Sequence, residues 1–246
     1  MPRLVIFLDL DDTILQTAPK CPPGEPALAA AVDRAGQALS FMTRSQQYLL
    51  AGWLEQGTVI PVTGRTDDAL ARVLIAFDSW RITHHGAVIR QPDGRLPPWW
   101  RAEVEPRLIA AQPLLQELAE RLKAGAAAGS YRVSSHAIER RLTYISVKTE
   151  GDGAVLAGLR ARLETDGWPP ELVLHHNGNN LALTVVGAQK QDAVRRVIAE
   201  LEQEGPTVTI GAGDSLTDIP FLRVCDFALV PKNSQIQRET WAGRSA

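Results

Sequence analysis

Leu4-Val5-Ile6-Phe7-Leu8-Asp9-Leu10-Asp11-Asp12-Thr13-Ile14-Leu15 is the stretch whose reading decides the fold. Five apolar residues run straight into three carboxylates. An unbroken apolar run rich in β-branched and aromatic residues predicts a strand buried on both faces, as parallel sheets require. Ligands of such sheets sit at the carboxyl ends of the strands. Asp9, Asp11 and Asp12 therefore crowd the place where an α/β protein does chemistry. Like charges this close repel, and a hard divalent cation with oxygen ligands, magnesium above all beside phosphates, relieves that repulsion. Taken alone, the stretch also has a lesser reading, a solvated turn or helix cap that happens to be acidic.

The same pattern recurs downstream. The apolar run 58–62 ends in Thr63-Gly64-Arg65, and the run 207–210 ends in Gly211-Ala212-Gly213-Asp214-Ser215-Leu216-Thr217-Asp218. Lys190 opens a predicted helix, 190–202, with Val194, Val197, Ile198 and Leu201 on one face. Further helices are predicted over 43–56, stopped by Gly57, over 67–77, and over 234–242. Short strands are predicted over 80–83, ahead of His84-His85-Gly86-Ala87, and over 227–230; residues 87–94 predict a small hairpin. Between the first strand and the first helix, Pro19, Pro22, Pro23, Gly24 and Pro26 predict a loop that passes into an alanine-rich stretch. That loop is a flap or a plain surface connection.

From Pro97 the character changes. Strands such as 140–148 alternate apolar and polar residues, the mark of an antiparallel sheet covered on one side. Residues 108–123 and 152–163 predict its helices, joined to the sheet in the order helix, strand, strand, helix, strand, strand. Residues 124–130 are a Gly/Ala connection, and Asn177-Gly178-Asn179-Asn180 is a hairpin turn between strands 172–176 and 181–185, with a sugar-binding role as its minority reading. This is a separate α+β unit inserted into the larger fold.

Each motif alone has an ordinary reading: Thr63 a turn hydroxyl, Arg65 and Lys190 surface cations, His84 and His85 turn residues, Gly213 to Asp218 a capped turn. Together they place acids, a hydroxyl and a lysine side by side at one edge of a parallel sheet. Phosphoryl transfer needs this set: a carboxylate to attack phosphorus, a second acid to protonate the leaving oxygen, and cations and amides to neutralise the equatorial oxygens. Asp9 is then the nucleophile and Asp11 the acid.

The sequence resembles the haloacid dehalogenase-like superfamily in its phosphatase branch. The motifs are Asp9-Leu10-Asp11-Asp12-Thr13, Thr63 in Thr-Gly-Arg, Lys190, and Gly213-Asp214 with Asp218. The inserted unit falls where that family carries its type two caps, and its repeated helix-strand-strand pattern is similar to the subclass of sucrose-phosphate phosphatase and Cof-type sugar phosphatases. The resemblance implies a three-layer, doubly wound, mostly parallel α/β core over 1–96 and 187–246, with a specificity cap over 97–186. It implies magnesium held by Asp9, the backbone carbonyl of Asp11, and Asp214, supported by Asp218. Asp9, Asp11, Thr63 and Lys190 would be catalytic, and Gly64, Arg65, His85, Asn179 and Asn180 would touch substrate. Thr217, His85 and Gln191 stand where the family often has Asn, Asn and Gly.

The expected partner is a small-molecule phosphate ester, most of all a sugar phosphate or a phosphoglycerate-type ester. Alternatives are a phosphosugar mutase, a receiver-like phosphoacceptor, or a binding protein without turnover. The 246 residues are 45% hydrophobic and 22% charged with a formal net charge of −2, which gives no reason to expect nucleic acid or an anionic membrane. Cys21 and Cys225 form no disulfide framework and no metal spacing. A cytoplasmic monomer or homodimer fits, and the early acids break any resemblance of the start to a signal peptide.

Overall fold

Val5 to Leu8 are fully buried in the first strand, β1 (Arg3–Leu8). The structure is a computed structural model that describes residues 2–24, 27–126, 130–150 and 153–241. After β1 come β2 (Leu28–Val32), β3 (Ala38–Met42), α1 (Arg44–Gln56), β4 (Thr58–Pro61), α2 (Asp67–Leu70), β5 (Arg81–Thr83) and β6 (Val88–Arg90). There follow α3 (Pro98–Glu103), α4 (Glu105–Gly125), β7 (Arg132–Ile138), β8 (Arg141–Lys148), α5 (Ala154–Thr165), β9 (Leu172–Asn177) and β10 (Asn180–Val185). The chain continues with α6 (Lys190–Gln203), β11 (Thr207–Ala212), α7 (Ile219–Leu222) and β12 (Phe227–Leu229). It divides into two compact units, Met1–Arg95 with Lys190–Ala246, and Leu96–Gln189.

The first unit is built on a parallel sheet ordered β12-β11-β1-β4. A parallel bridge between Val62 and Ile82 carries the order on to β5. From β1 the chain moves outward to β4 on one side, and later returns to β11 and β12 on the other. The strand order thus reverses at β1, and the carboxyl end of β1 is the switch point where ligands of such sheets bind. The ladder runs one residue past the strand: the Asp9 amide donates to the Ala212 carbonyl at 2.9 Å and the Val62 amide to the Leu8 carbonyl at 2.8 Å. Ile6, Leu8, Leu10, Ile14 and Leu15 pack with Leu50, Trp53, Val59, Val73 and Phe77 in one buried cluster. On α6, Ala193, Val194, Val197 and Leu201 are buried.

Four sequence expectations change here. The stretch after the proline-rich loop (Pro26 lies outside the described residues) is a hairpin, β2–β3, and Ala30, Ala31 and Met42 enter the buried cluster. The helix expected over 67–77 stops after one turn, at Leu70. The hairpin captures the backbone beyond it: the Val32 amide donates to the Arg72 carbonyl and the Leu74 amide to the Ala30 carbonyl. Helix α1 starts at a Thr43–Gln46 capping box and ends at Gly57; Leu49, Leu50, Trp53 and Leu54 predict an apolar stripe at helical spacing, but Leu49 and Leu54 are exposed and the buried stripe is narrower. In place of the hairpin expected over 87–94, β5 pairs antiparallel with β6 across His84–Gly86.

The second unit is an antiparallel sheet ordered β7-β8-β10-β9. Ile145, Val147, Leu181, Leu183 and Leu172 alternate on one face and are buried, as are Leu115, Leu118 and Leu122 of α4 and Leu156, Leu159 and Leu163 of α5. The register sets His136, Tyr144, Ser146, Asn180, Thr184 and His175 on the other face. Pro113 lies within α4 without ending it, and that helix begins earlier than expected. Residues 127–129 of the Gly/Ala connection, Asp152 and Ala242 lie outside the described residues.

Candidate active site

The buried Asp9 carboxylate stands at the switch point, and both of its oxygens have partners. Oδ1 accepts from Lys190 Nζ at 2.5 Å, and Oδ2 accepts from the Thr13 hydroxyl at 3.0 Å. Thr13 is brought there by a tight loop in which the Ile14 and Leu15 amides both donate to the Leu10 carbonyl, with Asp12 in the left-handed region at φ 64°. Lys190, the first residue of α6, also donates to Asp218 Oδ1 at 2.7 Å, and its ammonium lies 5.6 Å from the centroid of the Phe221 ring. The other Asp218 oxygen accepts from the Ser215 amide at 3.0 Å and the Ser215 hydroxyl at 2.7 Å. This turn requires Gly213, because a Cβ there would lie 2.7 Å from Asp218 Cβ.

Carboxylate oxygens of Asp9, Asp214 and Asp218 all lie within 4.8 Å of one another, and all three residues are buried. Three acids face the one Lys190 ammonium. Burial, reinforced by Asp218 and Asp214 against the opposing pull of Lys190, holds the Asp9 carboxyl well above the usual range. Burial first, then Asp218 and Asp12, pushes Asp214 up to about 7. Burial opposes the Lys190 charge, but Asp218 and Asp9 more than offset it and raise its pKa. The donor set is all oxygen, convergent and two charges short of neutral if every acid is ionised. A hard divalent cation fits it, and so does magnesium in particular. Asp9 and Asp214 would hold such an ion, with Asp218 tied to Lys190 beside them.

Asp11 is outside that triad. Arg65 grips its carboxylate with two hydrogen bonds, Nε to Oδ2 at 2.8 Å and Nη2 to Oδ1 at 2.6 Å. Lys20, from the proline-rich loop, pairs with Asp12 at 2.5 Å. The repulsion expected among the acids of the first motif is thus met by a separate cation for each. The crowding that remains comes from strands distant in sequence.

The Thr63 loop is the second wall. Its buried hydroxyl accepts from the Arg65 amide at 3.1 Å, and the Thr63 amide donates to the Ile82 carbonyl at 2.9 Å. His84 and His85 both take left-handed φ values, 52° and 59°, and their amides donate to the carbonyls of Arg65 and Thr63. The His85 imidazole covers Gly64 so closely that a Cβ there would lie 2.4 Å from His85 Cε1. Gly64 is therefore a packing requirement of the loop.

Of the residues singled out from sequence, Asp9, Lys190, Asp214 and Asp218 share one cluster, while Asp11, Thr63, Gly64, Arg65 and His85 are linked through the Arg65 loop. Asn179 and Asn180 belong to the second unit, on the β9–β10 turn, where the Asn179 carbonyl accepts from the Thr149 amide. Asn180 Oδ1 is buried with no hydrogen-bond partner. Sequence reasoning gave no role to Thr13, Ser215, Lys20 or Phe221. Thr13 and Ser215 stand inside the motifs and were within reach, whereas nothing local marks Lys20 or Phe221.

No family model and no curated protein sequence matches the chain. Solved structures do. A sucrose-phosphatase from Synechocystis sp., solved with sucrose and phosphate, superposes with a TM-score of 0.61 at 16% identity, over 100% of this chain and 89% of that one. A trehalose-6-phosphate phosphatase related protein superposes with a TM-score of 0.57 at 20% identity, over 92% and 84%. A haloacid dehalogenase-like hydrolase from B. subtilis gives 0.54 at 15%, over 93% and 94%. The chain shares the fold of these three solved structures, an α/β parallel-sheet core with an added antiparallel unit.

Proposed function

We propose that this chain is a magnesium-dependent phosphomonoester hydrolase that works through a phosphorylated Asp9, on a small sugar phosphate or related metabolite. The observation that carries the reading is the Asp9–Lys190–Asp218 chain of ion pairs at the strand switch point, with Asp214 beside it and Asp11 two residues on. Lys190 holds Asp9 Oδ1 and Thr13 holds Oδ2, so the nucleophile is fixed in place before substrate arrives.

In the first step the Asp9 carboxylate forms a bond to phosphorus as the bond to the leaving oxygen breaks. Asp11 gives that oxygen its proton. In the second step Asp11 takes a proton from water, whose oxygen bonds to phosphorus and releases Asp9 and inorganic phosphate. The Thr63 hydroxyl, the Gly64 amide and the Lys190 ammonium supply donors for the phosphoryl oxygens. A bound magnesium ion supplies positive charge against the acid cluster and the phosphoryl group. Arg65 holds Asp11 through two hydrogen bonds, and a phosphate that competes for the guanidinium would release or share it.

The role of residues 97–186 as a specificity cap is part of the proposal. Its support is the row of hydrogen-bonding side chains along one face of the antiparallel sheet, including Asn180 with its unpaired buried oxygen. Such groups suit a polyhydroxyl ligand, and a site built to bond hydroxyls rejects analogues that lack them. The structural likeness to a sucrose-phosphatase and to a trehalose-6-phosphate phosphatase related protein supports a sugar phosphate. The test is phosphate release across a panel of sugar phosphates, phosphoacids and nucleotides, with magnesium and with chelator. The proposal expects selective turnover of a sugar phosphate that chelation abolishes; full activity after exhaustive chelation contradicts it.

A further inference from the structure

The first unit contains a cavity that the reading above does not use. It has a volume of about 450 Å³ and is lined by Asp67, Leu70, Ala71, Val73, Ile75, Phe77, Arg81, Arg90 and Gly94. Its lining residues Leu70 to Phe77 belong to the stretch expected as one helix, which stops at Leu70. Its volume falls within the range of roughly 300–1,000 Å³ typical of small-molecule sites.

The lining has a definite chemistry. Leu70, Val73, Ile75 and Phe77 make an apolar wall. Both Asp67 oxygens are occupied: Oδ1 accepts from the Thr83 hydroxyl at 2.6 Å, and Oδ2 from Arg90 Nε at 2.8 Å. Arg90 also reaches the Gly94 carbonyl. Arg81 is the other cation. Among the described residues its guanidinium bonds only to the Gln91 carbonyl, at 3.2 Å, and has no carboxylate partner. Asp67 and Arg90 cancel, so the cavity presents one positive charge beside an apolar wall.

We propose that this cavity is a second ligand site of the core, taking a small anion with an apolar body, its charged head on Arg81 and its body against Leu70, Val73 and Phe77. It also reports to the Thr63 loop. Asp67 bonds the side chain of Thr83, and the next two residues, His84 and His85, bond through their amides to the carbonyls of Arg65 and Thr63. A ligand that moves Asp67 or β5 therefore moves the wall that holds Arg65 against Asp11. The site is thus regulatory in character, and its existence does not depend on the phosphatase reading.

Phenylacetate is the probe and phenethylamine its cationic counterpart, each titrated into the full chain by calorimetry, with the Arg65 and His85 amides followed by NMR. Saturable phenylacetate binding is expected, with shifts at both amides and binding at least about tenfold weaker for the amine. Arg81→Glu should weaken phenylacetate at least about tenfold and Arg81→Lys less than that, because the head needs a cation there and an ammonium keeps the charge without the guanidinium fork. Ala71→Trp, at an exposed position on the lining, should fill the cavity and abolish binding. No saturable binding, binding that survives both Arg81→Glu and Ala71→Trp, equal affinity for the amine, or unmoved amides overturns the proposal.

Discussion

The two sheets carry their polar groups in different places. In the parallel sheet, β1 is apolar and buried throughout its inner length, and the polar groups come after the strand ends, at Asp9 after β1, Thr63 after β4 and Asp214 after β11. In the antiparallel sheet the polar groups alternate along the strands, with His136 bonded to Ser146 and stacked on Tyr144 at 4.1 Å, and His175 bonded to Thr184. A group at a strand end is fixed by the ladder that runs past it, and no neighbour duplicates it. A group on a face has neighbours of similar chemistry two residues away. Loss of function should therefore be all-or-none at the core's strand ends and graded along the face of the second sheet.

The largest effect is expected from Asp9→Asn, which removes the proposed nucleophile. Turnover of any phosphate ester should fall below detection while the fold is kept, and steady-state phosphate release is the measurement. Retained turnover would erase the distinction between the sheets. Next is Lys190→Ala. It leaves two buried carboxylates without their cation, a loss worth about 3–5 kcal/mol when a buried pair is broken. A lower Tm without magnesium, partly recovered with it, and a fall in kcat of about a hundredfold or more are expected; chemical denaturation and kinetics check both.

Asn180→Ala samples the other side of the comparison. Its KM for the preferred sugar phosphate should rise by no more than about tenfold, or about 1.4 kcal/mol, while an aryl phosphate is untouched. A collapse of kcat for both substrates would show that the face carries more than specificity.

The smallest effect concerns His136, which burial and then Lys148 lower to about 4. Below the ordinary imidazole value the unfolded chain takes up a proton that the folded one resists, so this contribution is complete above about pH 6.5 and is lost as pH falls toward 4. His136→Gln should flatten the fall in Tm between pH 7 and 5 relative to the parent. An unchanged slope would place the titration elsewhere.

The core was legible where backbone and side-chain signals agreed. β1 reads as a strand because nothing polar interrupts Leu4 to Leu8, and α1 as a helix because Leu49, Leu50, Trp53 and Leu54 fall at helical spacing ahead of Gly57. The motifs were legible because each polar cluster follows an apolar run. The β2–β3 hairpin was not, since its buried residues are alanines and its larger ones, Leu28 and Leu39, are exposed. Its turn left one local sign, Asp33 accepting from the Ala35 and Gln37 amides with Gly36 at φ 81°. The helix predicted over 67–77 failed for a tertiary reason. Leu70, Val73, Leu74 and Phe77 have helical spacing, yet the edge of β2 takes up the backbone of residues 72–74 and leaves Leu74 exposed. In the site, the pairing of Arg65 with Asp11 and of Lys20 with Asp12 joins residues that no spacing rule connects.

The central claim is that two aspartates of one motif have different tasks because one is buried against Lys190 and the other is held at the surface by Arg65. Rapid mixing of Asp11→Asn with an activated aryl phosphate tests it directly. A general acid and base, the role proposed for Asp11, is worth roughly a hundred- to ten-thousand-fold in turnover, but an activated leaving group needs little protonation. The account predicts a burst of aryl alcohol that approaches the enzyme concentration, followed by a stall, with acid-stable, hydroxylamine-labile phosphate on Asp9. No burst from Asp11→Asn, with residual activity equal to that of Asp9→Asn, would contradict it.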